Sequence, residues 1–263
     1  MALVADWVDR GAPDWPLTAG LAVAAACMTR YEAWPVCAAL LSLAFAVLLR
    51  RGTPPRAATM AIARLAAYPT VAIALFLLNS RWTVGAWFVS AGFFVAENDA
   101  IGQPLLAWDQ VREGVYRLSG PALVWPAYGG AALIVWAFAR SRSLASMVLV
   151  LAPVGAAALP WYAYFEGHPF RIRYGVPLVV ACAALVGAGI SLLPRVLRAG
   201  AAIVAVAAAI WQVSPLDRTA PVIVESQRDA QNMVGRRAVT AYLRTHYDGR
   251  PIMMSMGSLP HYM

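Results

Sequence analysis

Three short stretches of this chain gather side chains with chemistry to offer. The first is Thr29-Arg30-Tyr31-Glu32-Ala33-Trp34-Pro35, a charged connection wedged between two apolar runs. Charges in so tight a place are costly unless they face water, one another or a polar ligand. Two readings follow. Arg30 holds a phosphate or orients a carboxylate while Glu32 accepts from a sugar hydroxyl, or the two simply pair and cap a helical hairpin. The second stretch, 79–119, interleaves Trp82, Trp87, Phe88, Phe93, Phe94 and Trp108 with Glu97, Asp99, Asp109 and Glu113. That alternation predicts an amphipathic helix lying on a membrane and roofing a cavity, and long loops in compact bundles are usually functional. Glu97 and Asp99 could position a sugar or a divalent cation; a solvated loop with an interfacial helix is the plainer reading. The third stretch runs from Tyr164 through Glu166, His168, Arg171 and Arg173 to Tyr174 and Gly175. Two arginines beside a histidine suit an anion, since guanidinium groups take phosphate in bidentate fashion. Arg173, at the start of the next apolar run, is the one expected to meet a lipid-linked phosphate. Nonspecific contact with headgroups is the alternative.

The elements that must hold these residues are membrane helices. Hydrophobic residues make up 61% of the 263-residue chain, charged residues 13%, and mean hydropathy is +0.62. Soluble domains run near about 25% charged, so too little polar surface exists to cover a globule. The apolar residues also arrive in long uncharged runs, which predicts an all-α bundle of about seven transmembrane segments. They fall at 17–30, 35–50, 57–78, 120–139, 144–163, 174–193 and 199–214, after a polar, cytoplasmic lead-in over 1–16. The first, second and seventh are short for a bare span.

Charge sets the expected orientation. Every basic residue is arginine, and the net charge is +8. The connections Arg50–Arg56, Arg140–Arg142 and Arg195–Arg198 hold arginine and no acid, which places them in the cytoplasm. The segments 31–34, 79–119, 164–173 and a tail over 215–263 then lie outside. Arginine in such turns is topological, so nucleic acid is not an expected partner. Arg64 is expected to snorkel toward the cytoplasmic headgroups. In the tail, 226–247 reads as an amphipathic helix stopped at Asp248-Gly249, and Pro251–Met256 as a strand, together the opening of an α/β-like domain. Cys27, Cys37 and Cys182 lack ligand spacing and read as packing residues. No phosphate-binding loop, nucleophile elbow or zinc-protease motif occurs, which argues against soluble nucleotide chemistry. The proline-bearing spans carry no ionisable residue at mid-depth, and no lysine is available for a retinal Schiff base. The first fact favours a surface cavity over a transmembrane path, and the second excludes the commonest seven-helix sensory receptor.

The apolar run ending in Thr29-Arg30-Tyr31-Glu32-Ala33-Trp34, the basic turn that follows, Gly102-Gln103-Pro104-Leu105, and Arg171-Ile172-Arg173-Tyr174-Gly175-Val176-Pro177 leading into a span resemble the later membrane portion of GT-C-type glycosyltransferases. These are the protein mannosyltransferase-like and aminoarabinose transferase-like enzymes. The resemblance covers most of the chain through short motifs. It implies transfer of a sugar from a polyprenyl-phosphate-linked donor to an acceptor at the extracytoplasmic face. Arg30, Arg171 and Arg173 would bind the donor phosphate, and Tyr31, Glu32, Glu97, Asp99, His168 and Tyr174 would line the substrate cavity. The family's key acidic residue lies in a first outer loop without a counterpart here, so the chain reads as a partial one and its catalytic base is unassigned. The competing reading is a non-catalytic membrane protein, a transporter subunit or an assembly partner.

Overall fold

The computed structural model describes residues 1–13, 15–88, 98–213 and 217–249. The chain runs through α1 (Ala2–Asp9), α2 (Leu17–Cys27), α3 (Ala33–Arg50), α4 (Pro55–Val84), α5 (Pro104–Ser119) and α6 (Pro121–Arg140). A 3-10 stretch, Ala145–Ala157, continues into α7 (Ala158–Phe165), and a 3-10 turn, Ile172–Gly175, leads into α8 (Val176–Leu192). Two further helices follow, α9 (Arg195–Val213) and α10 (Pro221–His246). No strand occurs among the described residues. Lipid offers the backbone no hydrogen bonds, so each apolar run must satisfy its own, and helices do that locally. Proline opens the first turn of α4, α5, α6, α8 and α10, where its missing N–H costs nothing.

Six helical stretches are long and apolar enough to cross a membrane: Ala33–Arg50, Pro55–Thr83, Pro121–Arg140, Ala145–Phe165, Ile172–Leu192 and Arg195–Gln212. The chain is therefore an all-α polytopic membrane bundle. The first expected segment differs. α2 has 11 residues, about 16 Å of helix against a hydrocarbon core of about 30 Å. The stretch read as a polar lead-in folds back as a helix and buries Val4, Trp7 and Val8 in the core with Val47 and Leu48. Its acids sit at the helix's end, where Asp9 pairs with Arg51 at 2.6 Å. Asp14, between α1 and α2, lies outside the described residues. The expected span over 144–163 also departs from a plain α-helix, being 3-10 for its first 13 residues around Pro153. Proline cannot donate to a carbonyl four residues back, and a 3-10 helix climbs about 2.0 Å per residue instead of about 1.5 Å.

One end of the bundle carries the arginine-bearing turns. Arg50 donates from Nε to the Phe138 carbonyl at 3.1 Å and from Nη2 to that of Ala139. These are C-terminal carbonyls of α6, which no intrahelical N–H can reach. The arginines that signal topology thus also cap a neighbouring helix. Arg64 stacks over the Trp15 ring, 5.8 Å from its centroid, and Trp15 donates to the Tyr68 hydroxyl.

At the opposite end α5 crosses the openings of the spans. It buries Ala107, Val111 and Gly114 and turns out two ion pairs, Arg112–Asp109 at 3.1 Å and Arg117–Glu113 at 2.7 Å. An amphipathic helix was expected within 79–119, and α5 is one. There Gln212 of α9 accepts through Oε1 from the Ala122 N–H at 2.6 Å, capping the start of α6. The tail helix begins earlier than expected, at Pro221. Before it, Asp217 Oδ1 accepts from the Thr219 amide at 2.8 Å and hydroxyl at 2.7 Å, which holds its carboxyl below the ordinary range. The strand expected at Pro251–Met256 lies outside the described residues.

Candidate functional site

The turn between α2 and α3 is built tightly. Thr29 donates its hydroxyl to the Ala26 carbonyl at 2.7 Å, and the Ala33 and Trp34 amides bond back to Arg30 and Tyr31 at 3.1 and 3.0 Å. Within it the Arg30 guanidinium grips Glu32 through both edges, Nη2 to Oε1 at 2.6 Å and Nε to Oε2 at 3.1 Å. The hydrogen bonds to Glu32 hold Arg30 above its ordinary pKa, against partial burial, which lowers it. The side chains are 63% exposed for Arg30 and 9% for Glu32, so the acid is inside and the cation faces out. Of the two readings of this turn, pairing is observed. Capping is not, because Glu32 stands at the start of α3 without a side-chain hydrogen bond to the helix.

Above this pair lies an open cavity of about 490 Å³. Its aromatic wall is made by Tyr31, Trp34 and Phe76, whose rings meet edge to face at centroid distances of 5.2 to 6.0 Å. Trp34 is locked by its indole N–H, which donates to the Cys27 carbonyl at 2.8 Å. The far wall comes from Pro160, Ala163, His168 and Tyr174. α7 stops at Gly167, whose φ of 89° suits glycine. The His168 amide then bonds back to Ala163 at 2.8 Å and that of Gly167 to Tyr164 at 2.9 Å, a double closure that turns His168 toward the cavity. His168 Nδ1 lies 2.9 Å from the Pro169 carbonyl. A carbonyl only accepts, so Nδ1 donates here. Nε2 faces the Tyr174 hydroxyl at 3.4 Å, across from the ion pair.

The loop that holds His168 is fastened by two residues the sequence did not single out. Asn98 and Gln110 exchange amide hydrogen bonds, both 2.7 Å long. Asn98 also donates from Nδ2 to the His168 carbonyl at 2.8 Å and from its amide to Gly167 at 3.2 Å. Asn98 is buried, so removing its amide strands several polar groups at once. Asn98→Leu is expected to lower stability by about 2 kcal/mol and to weaken any ligand of the cavity, while Asn98→Asp keeps one of the two roles and loses less. Equal melting temperatures and equal ligand affinity for Asn98→Leu and wild type would contradict this role.

The remaining expected residues are placed elsewhere. Arg171 and Arg173 are exposed, on the 3-10 turn and its approach, and neither lines the cavity. Arg171 is held by its backbone, the Tyr164 hydroxyl donating to its carbonyl at 3.1 Å. Arg173 was expected deepest, but the tight 3-10 turn brings Tyr174, and not Arg173, to the lining of the cavity. Asp99 is exposed beside Asn98, its carbonyl accepting from Gln103 at 3.0 Å, and it too lies outside the lining. Glu97, Phe93 and Phe94 lie outside the described residues. Among the described residues no three His, Cys, Asp or Glu side chains converge to hold a metal. Phe76 and Asn98 were missed because one is an apolar residue inside a span and the other an amide among acids; neither pattern separates them from their neighbours.

The class defined is a polytopic α-helical membrane protein with an aromatic cavity at one end of its bundle, where the Arg30–Glu32 ion pair lies among the described lining residues. Comparison with family models, with curated proteins and with solved structures returns no match to this chain.

Proposed function

We propose that this cavity takes the head of a polyprenyl-phosphate-linked sugar, and that the protein works in GT-C-like glycosyl transfer at the extracytoplasmic face of a cell membrane. The observation that carries the reading is the meeting of Arg30, Tyr31 and Glu32 with His168 and Tyr174 in one cavity. Two separate stretches, each marked by its residue types, come together there. The volume lies in the range of small-ligand pockets, about 300–1,000 Å³. Aromatic faces suit the apolar face of a pyranose, the outward guanidinium suits a phosphate, and Glu32 can accept hydroxyl protons. The arginine-rich turns at the other end favour the cytoplasm, and on this reading the cavity, α5 and the C-terminal tail face outside. Arg171 and Arg173 then stand at the headgroup level beside the cavity, where a donor phosphate would pass.

A second reading rests on one fact. Glu32, the carboxylate in the described lining, is already engaged by Arg30. That favours a non-catalytic membrane subunit or assembly partner that binds the same class of ligand.

The test is thermal stabilisation of the protein in phosphatidylcholine nanodiscs by polyprenyl phosphate, by its hexosylated form and by neutral polyprenol. The hexosyl phosphate is expected to stabilise most, and Tyr31→Ala to abolish the preference for the sugar over the bare phosphate. Stabilisation equal to that of polyprenol would reject the site. Sugar release to an acceptor in the same discs separates the enzyme from the binding subunit.

A further inference from the structure

Two of the three cysteines meet at the hairpin that carries the ion pair. Cys27 is the last residue of α2, and Cys37 stands just past the first turn of α3. The hairpin between them is fastened on both sides. The Trp34 indole N–H donates to the Cys27 carbonyl at 2.8 Å, and Cys27 Sγ donates weakly to the Ala33 carbonyl at 4.0 Å. In an α-helix that carbonyl is the acceptor for the amide four residues on, which is that of Cys37. The Cys27 sulfur is thus held against the stretch of α3 from which Cys37 projects, and the two thiols interact side chain to side chain. Both residues are buried in the same core cluster. Cys27 also belongs to the wall of the cavity, whereas Cys37 is not among its lining residues. Packing between helices requires small side chains there, but it does not require two thiols to adjoin.

We propose that Cys27 and Cys37 close into a disulfide that pins the α2–α3 hairpin and, with it, Arg30 and Glu32. The oxidant is a disulfide-bearing compound or protein, which Cys27 meets through the cavity or while the hairpin is still inserting. The Cys27 thiolate attacks one sulfur of that disulfide, a mixed disulfide forms, and one thiol of the oxidant leaves. The Cys37 thiolate then attacks the Cys27 sulfur and displaces the other. The two cysteines give up two protons and one electron pair, and the oxidant is reduced to two thiols. Such exchange belongs to an oxidising compartment, and that part of the proposal rests on the outward orientation of this turn proposed above. The chemistry of the pair is independent of what the cavity binds. Cys182, on α8 in the wall of a separate apolar pocket with Leu178 and Leu185, stays a thiol.

The full chain is isolated in phosphatidylcholine nanodiscs without reductant, denatured, and its free thiols are counted by maleimide alkylation and mass. Wild type is expected to show one free thiol as isolated and all three after reduction. Reduced wild type in the discs is then exposed to hydroxyethyl disulfide. It should lose two thiols together, carry no mercaptoethanol adduct, and melt at a higher temperature than its reduced form, because closing the loop restricts the unfolded chain. Cys37→Ala should stop at the mixed disulfide, keep the adduct on Cys27 and show no such rise, while Cys182→Ala keeps the whole response. A bond that forms with hydroxyethyl disulfide but is missing from the isolated protein upholds the pair and rejects the outward orientation of the turn. Three free thiols under both conditions, or a bond that uses Cys182, overturns the proposal.

Discussion

Arg30→Ala is expected to destabilise the protein by about 2 kcal/mol and to empty the cavity of any phosphorylated ligand. The figure follows from burial. Removing one partner of a buried ion pair costs about 3–5 kcal/mol because the other charge is left without compensation. Here the stranded group is Glu32, 7% exposed overall, while the guanidinium that leaves is largely in solvent, where an ion pair contributes less. Glu32→Gln is expected to cost less, since a neutral amide needs no counter-charge and still accepts from Arg30. The double replacement Arg30→Ala with Glu32→Gln should lie closer to wild type than the sum of the single changes, because the buried charge is gone. Unfolding in mixed detergent micelles measures all three. Strict additivity, or an Arg30→Ala effect within about 0.5 kcal/mol of zero, would mean that the pair is ornamental to the fold.

Gly130→Val should do more damage still. α6 and α8 cross where Gly130 and Gly189 face each other. A Cβ on Gly130 would lie 2.2 Å from the Leu185 carbonyl oxygen and 2.9 Å from its carbon, and one on Gly189 would lie 2.6 Å from the Gly130 Cα. These are backbone atoms, which no rotamer change can move away, so the helices must part along their length. Overpacking ordinarily costs about 1–3 kcal/mol and occasionally more; a clash against backbone belongs at the upper end. Small residues at such crossings let membrane helices approach, and there dispersion replaces the missing hydrophobic drive. Gly187→Val supplies the control, because nothing lies within 4 Å of its Cβ position on the same helix. Equal unfolding midpoints for the two variants would show that the crossing does not carry the packing.

The sequence was most legible where physics is one-dimensional. Lipid must be met by runs of apolar side chains, and each run must satisfy its own backbone, so length and composition alone give α3, α4, α6, α8 and α9 to within a few residues. The amphipathic α5 was legible for the same kind of reason, through its alternation of aromatic and charged residues. Arg30, Tyr31, Glu32, His168 and Tyr174 could be singled out because charged and ring-bearing residues are rare between spans and costly unless used. The short α2 was less legible. Its expected end at residue 30 ignored Thr29, whose hydroxyl closes the helix early, and α1 hid its apolar face behind Asp6 and Asp9.

What only the tertiary structure decided is which of those residues meet. Arg171, Arg173 and Tyr174 are near neighbours in the chain, yet one 3-10 turn sends the tyrosine to the cavity and keeps the arginines out of it. Sequence spacing alone does not predict such a turn. The same holds for Asn98 with Gln110 and for Arg50 on the carbonyls of α6. Each depends on where a distant segment comes to rest. Apolar transfer to lipid adds up residue by residue and can be read along the chain. Hydrogen bonds and close packing depend on angstroms between separate segments, and those distances exist only once the helices are assembled.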